Sequence, residues 1–168
     1  MLTSHELIGF MSAKLANEII EFTRESDKPA YKATLNAVAQ ARHVRPVFME
    51  RQPRAQRHAA MIATLSRPAL ESAAGNLIRV WLVKKQRTML VDFLNALGLP
   101  NNEGVVDDLP ATMDDDKLKS AIEALLAKYP AEAVAVYLNA FNDMNEANWV
   151  NLKTMLESDK RLQLGAPA

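Results

Sequence analysis

PALESAAGNLIRVWLVKKQRTMLVDFLNALG, residues 68–98, decides the fold class. Pro68 suits the first turn of a helix, where its missing N–H is not needed. Gly98 suits the stop, where φ is often positive, and Pro100 blocks any resumption. Between them Leu70, Ala74, Leu77 and Trp81 form one apolar stripe, and Ile78, Leu82, Met89, Phe93 and Leu97 form a second. From Leu77 to Val83 only Arg79 is polar. A helix apolar on most of its circumference is enclosed by other elements. The stretch therefore predicts one long central helix, wrapped by N-terminal helices on one side and by helices from 116–157 on the other. The class is all-α, a bundle of about seven or eight helices.

The rest of the chain repeats the helical period. Thr3 and Glu6 have capping-box spacing, and Ile8, Met11, Leu15, Ile19 and Phe22 follow at steps of three or four. Gly9 and Ser12 mark a kink or split. Glu18, Glu21 and Glu25 fall on the other side, which predicts solvation. Asp27 followed by Lys28–Pro29 restarts a helix, with Tyr31, Leu35 and Val38 inward. Ala33, Ala37 and Ala41 give it a small-residue side that admits a close neighbour. A short helical turn is expected from Pro46 to Arg51, and a helix from Pro53 to about Leu65. On the latter the reading puts Ala55, Ala59 and Ile62 inward, with Arg54, Arg57, His58 and Met61 on a different face. Residues 99–113 show no helical period and read as a long loop, pinned by Val105, Val106 and Leu109. Asp114–Asp116 open a helix carrying Leu118, Ile122, Leu125 and Tyr129. Pro130 starts the next, and Trp149, Leu152 and Leu156 mark the last. One domain over 1–160 is expected, with 161–168 as a loose tail.

Composition narrows the function classes. The chain of 168 residues has no cysteine, which excludes disulfides, thiolate catalysis and cysteine zinc sites. It also points to a reducing, cytoplasmic setting. No basic leader or apolar run of the roughly 20 residues needed for a membrane span is present. The net charge of zero hides an asymmetry: residues 1–98 hold 14 Lys+Arg against 8 Asp+Glu, and residues 99–168 hold 6 against 12. Either the two parts neutralise one another or the basic part faces an anion.

The second possibility has a natural seat in ARHVRPVFMERQPRAQRH, residues 41–58. Arg42, Arg45, Arg51, Arg54 and Arg57 stand there with His43 and His58 against one acid, Glu50. Guanidinium forks pair with carboxylate or phosphate oxygens, so Arg42, Arg45, Arg51, Arg54, Arg57 and His58 are the candidate binding face for a small anion or an acidic protein. The structural alternative is that these arginines pair with the acids of 99–168. The zero net charge and the single aromatic of the segment, Phe48, disfavour nucleic acid. His43, Glu50 and His58 lack the tight spacing of metal-binding histidines. The acids at 107–108 and 114–116 lack the alternation of a calcium loop. No metal, cofactor or catalytic set is expected. Self-association through apolar surface on the 131–157 helices is a further expectation.

Two resemblances bear on this reading. HVRPVFMERQPRAQRH and the LLAKYP–NAFNDMNEANW stretch resemble a small set of uncharacterised bacterial all-helical proteins, which implies a helical fold and no particular activity. Arg51 and His58, six residues apart, resemble the Arg-x4-6-His motif of the HEPN helical ribonucleases. That resemblance implies an alternative: a metal-independent ribonuclease or other phosphate-processing enzyme, with Arg51 and His58 at the cleaved phosphate. Gln52 is the polar residue after the arginine, and Pro53 departs from the pattern. The main expectation is a non-catalytic interaction protein.

Overall fold

The computed structural model describes residues 1–165 and is all-helical, with ten α-helices, two 3-10 turns and no strand among those residues. The helices are α1 (Ser4–Phe10), α2 (Ala13–Ser26), α3 (Lys28–Ala41), α4 (Pro46–Glu50), α5 (Arg54–Leu65), α6 (Glu71–Lys84), α7 (Arg87–Ala96), α8 (Asp115–Lys128), α9 (Ala131–Asn145) and α10 (Val150–Ser158). None is long and apolar enough to cross a membrane. Internal contacts divide the chain into two compact units, one of Leu2–Trp81 and one of Leu82 onward with Met1.

The expected rod from 68 to 98 is not one helix. Pro68–Leu70 is a 3-10 turn, α6 follows, and the chain breaks at Lys85–Gln86 before α7. No glycine or proline causes the break. Helices in proteins owe most of their stability to packing of an apolar face. Between the buried Leu82 and Met89 the only apolar residue is Val83, and it is half-exposed. Gln86 leaves helical geometry at φ −101°, ψ 20°. Gly98 does end α7, with φ +72°. Trp81, Leu77, Ile78 and Leu82 are all buried as expected.

In the unit Leu2–Trp81, local chemistry sets each helix end. The Glu6 carboxylate accepts the Thr3 N–H at 2.8 Å, which holds its pKa below the usual range. Ser12 splits the first expected helix in two and caps α2 by accepting the Leu15 N–H at 3.1 Å. Asp27 caps α3 through the Ala30 N–H at 3.0 Å. Glu71, at the start of α6, accepts the N–H groups of Ser4 and His5 at 2.8 and 2.9 Å and so caps α1 from across the unit. Burial opposes ionisation of Glu71, but these bonds outweigh it and lower its pKa. Helix α3 ends in a Schellman turn: Val44 N–H donates to Ala39 O, His43 N–H to Gln40 O, and His43 takes φ +57°. The small side of α3 does not admit a close neighbour. Ala33 and Ala37 line an open trough of about 460 Å³ shared with Ala73 and Asn76 of α6.

In the unit from Leu82 onward, α9 is the enclosed helix. Every residue from Ala133 to Phe141 is buried. Phe93 of α7 meets Tyr137 and Phe141 edge-on, at 5.5 and 5.4 Å between ring centroids, and Trp149 closes the cluster on Phe141 at 5.4 Å. Among the described residues of 131–157, Val150 is the one large apolar residue left exposed. The 99–113 loop is tied by hydrogen bonds rather than by Val105, which is exposed; Trp149 Nε1 donates to Pro110 O at 2.9 Å. The tail is also corrected at its start. Lys160–Leu162 form a 3-10 turn with Leu162 buried, and Arg161 pairs with Glu123 and Asp159. Residues 166–168 lie outside the described residues.

Phe93→Ala removes the ring shared by Tyr137 and Phe141 and is expected to cost about 3–5 kcal/mol in urea unfolding. Val105→Ala, on the exposed turn, is expected to stay within about 0.5 kcal/mol.

Candidate functional site

Helix α5 determines how the arginine-rich segment is presented. Its buried residues are Arg57, His58, Met61, Thr64 and Leu65. The inward face expected from Ala55, Ala59 and Ile62 is thus the wrong one: Ala55 and Ala59 are exposed and Ile62 half-exposed. Met61 and Leu65 carry far more apolar area than the alanines, and the helical period places Arg57 and His58 beside them.

The six predicted residues separate into three groups. Arg42, Arg45 and Arg51 are exposed. Arg42 donates to Thr64 Oγ1 at 3.3 Å, and none of the three has an ion-pair partner among the described residues. Arg54 is exposed and pairs with Glu21 Oε1 at 2.9 Å. Arg57 and His58 are buried. Arg57 Nη1 donates to the Glu50 carbonyl at 3.2 Å, at the end of α4, while its Nε has no partner. His58 Nε2 lies 3.5 Å from Glu21 Oε2.

Glu21 is the residue the sequence reading missed. Placed among solvated acids, it instead holds a carboxylate between Arg24 at 3.2 Å, Arg54 at 2.9 Å and His58 at 3.5 Å. The arginine segment draws its acid from α2, in its own unit, rather than from residues 99–168. The three-residue step from Glu21 to Arg24 was the available signal, since such pairs meet on a helix surface.

The electrostatics follow from burial. Desolvation pushes the His58 imidazole below its ordinary 6.5; Glu21 opposes this, and Arg57, Arg54 and Arg24 reinforce it. The ring nitrogen that faces Glu21 is buried and makes no hydrogen bond. It is poorly placed to exchange protons with a substrate in solvent. Arg51 stands on the surface while His58 Nε2 is buried, so the two ends of the HEPN-like spacing are differently exposed. His43 and Glu50 are exposed as well, apart in burial from His58. Among the described residues no three His, Asp or Glu side chains gather as a metal set. Asp114 caps α8 by accepting the Lys117 N–H at 3.0 Å.

The segment also exposes apolar side chains that the arginine count obscured. Val44 and Val47 are each 41% exposed and Phe48 56%. Met49 points inward and is buried, anchoring the turn.

A histidine held below its unfolded pKa contributes stability that is fully present above about pH 6.5 and is lost as pH falls through the folded value. The native protein is therefore expected to melt at lower temperature at about pH 5 than at about pH 7.5. His58→Gln is expected to flatten that difference in thermal unfolding followed by circular dichroism.

The chain matches no family model, no curated protein and no solved structure, so its functional reading rests on the geometry above.

Proposed function

We propose that residues 42–51 form a docking surface for an acidic protein segment carrying apolar anchors, and that the protein is an interaction module rather than a catalyst. One observation carries this reading. Three of the six large apolar side chains exposed among the described residues, Val44, Val47 and Phe48, fall in the same ten residues as Arg42, Arg45 and Arg51, which make no ion pair. Val47 and Phe48 lie on α4, and Val44 on the bend that precedes it. An aromatic ring beside arginines is the composition of an interface core, where burial supplies affinity and charge supplies selection.

The pattern supports a polypeptide over a small anion, because a free anion leaves Phe48 uncovered. It supports a polypeptide over nucleic acid as well, because one ring offers little stacking surface. The burial of His58 against Glu21 favours docking over phosphate cleavage at Arg51 and His58. Absence of cysteine agrees with a reducing, cytoplasmic setting for such a module.

The probe is a fluorescein-labelled peptide alternating Glu with Leu and Phe, followed by anisotropy. Saturable binding is expected, weakened about tenfold or more by Phe48→Ala and by Arg45→Ala combined with Arg51→Ala. Rising salt is expected to weaken it further. A Gln-for-Glu peptide that binds equally well, or variants that bind like the native protein, would remove the proposal. Tighter binding of a single-stranded RNA oligonucleotide would replace it with a nucleic-acid function.

A further inference from the structure

The unit from Leu82 onward carries an open groove of about 630 Å³, independent of the arginine surface. One wall is the segment Ala111–Met113 that leads into α8; the other is α10 with Trp149 at its start. A smaller recess of about 190 Å³ also borders Lys119, Met155 and Ser158, and runs on toward Leu162.

The walls are held by bonds reaching across the groove. Trp149 Nε1 donates to Pro110 O at 2.9 Å. Asn151 Nδ2 donates to Met113 O and to Asp115 Oδ1, each at 2.7 Å. Both donor residues belong to the α10 side, and all three acceptors to the opposite side, so the groove exists before any ligand arrives. At its mouth Asn148 takes φ +50°, just after Glu146 at φ +54°. Left-handed residues other than glycine cost free energy and gather at ligand clamps.

A donor inventory narrows the ligand. Thr154 spends its hydroxyl proton on Val150 O at 3.0 Å, and Ser158 on Met155 O at 3.4 Å. Asn151 spends both amide protons as described. Lys119 is different. It has no ion-pair partner among the described residues, although acids stand one turn away on either side. Asp115 is engaged by Asn151 and Glu123 by Arg161 at 3.1 Å, and Asp116, three residues before Lys119, makes no ion pair with it. An ammonium with three free donors thus stands over a surface of Met113, Met155 and Val150, the last 78% exposed. The Thr112 hydroxyl, also on the groove lining, has no partner among the described residues.

We propose that this groove binds a small apolar monocarboxylate. The carboxylate accepts from Lys119 Nζ and the Thr112 hydroxyl, and the hydrocarbon body lies on Met113, Met155 and Val150. Its volume falls in the range of small-molecule sites. Two thioethers give a surface that adapts to flexible chains. One cation matches one charge, and a multiply charged head such as a phosphate would find no second cation on the groove lining.

The test titrates the full chain with octanoate, using octanol and octylamine as controls, by calorimetry and amide NMR shifts. Octanoate is expected to bind one to one, with shifts centred on residues 111–119 and 148–158. Lys119→Met is expected to weaken it about tenfold or more, the loss of one charge-assisted contact. Thr154→Trp, which fills the groove, is expected to abolish it. Octanol is expected to bind at least about tenfold more weakly and octylamine not at all. Circular dichroism verifies that each variant is folded; Lys119 is exposed, so its replacement leaves the core untouched. Absence of saturable octanoate binding, equal binding of octanoate and octanol, or full affinity in folded Lys119→Met would overturn the proposal.

Discussion

The inward register of α5 constrains the whole arginine-rich segment. Met61 and Leu65 are fully buried, and a helix that buries them also turns residues 57 and 58 inward. A guanidinium and an imidazole therefore enter the core as a consequence of apolar packing one turn away. Burying them is expensive unless hydrogen bonds or counter-charges meet them. Arg57 is met by the Glu50 carbonyl; His58 Nε2 lies 3.5 Å from Glu21 Oε2 without a hydrogen bond, and its burial lowers its pKa. Each of these contacts also fixes something beyond itself. The Arg57 bond ties the end of α4 to the first turn of α5, and Glu21 ties α2 to α5.

That internal chemistry decides which arginines are left over. Glu21 takes Arg24 and Arg54 along with His58, which leaves Arg42, Arg45 and Arg51 without acids. The same tie between α4 and α5 holds the turn that carries Val47 and Phe48, with Met49 anchored beneath. An exposed phenylalanine on a mobile loop would lose entropy on binding. On a turn fixed at both ends less is lost, so more of the contact free energy appears as affinity. The structural network and the proposed docking surface are thus two consequences of one register.

Much of this was legible in the sequence, and the failures have a common cause. Caps and stops were readable because they depend on single residues: Asp27 and Ser12 at helix starts, Gly98 at a helix end, Pro46 at a restart. The break at Lys85–Gln86 was not, because no residue there forbids a helix; only the missing apolar anchor between Leu82 and Met89 allows the bend. The inward face of α5 was misread because polar identity was weighed above side-chain size. Alanines at 55 and 59 look apolar, but a core selects volume. Glu21 was read as solvated for the same reason: its charge suggested water, while its true surroundings come from a helix thirty-odd residues later in the chain. The enclosure of α9 was underestimated because a run of nine buried residues has no helical period to detect.

The two units meet the problem of polar groups differently, and this separates their candidate sites. In Leu2–Trp81, positive charge exceeds what one internal carboxylate neutralises, so the surplus is displayed together with apolar side chains on a convex turn. In the unit from Leu82 onward, hydrogen bonds from Trp149 and Asn151 to the opposite backbone satisfy the groove walls and leave one ammonium over. A surplus spread along a turn suits an extended, multiply charged partner, because each exposed arginine adds a contact that salt can screen. A single cation beside thioethers suits a small ligand with one charge, because the groove lining offers no second cation. The difference lies in how many unpaired cations each candidate site itself displays: three arginines on the turn, one lysine on the groove lining.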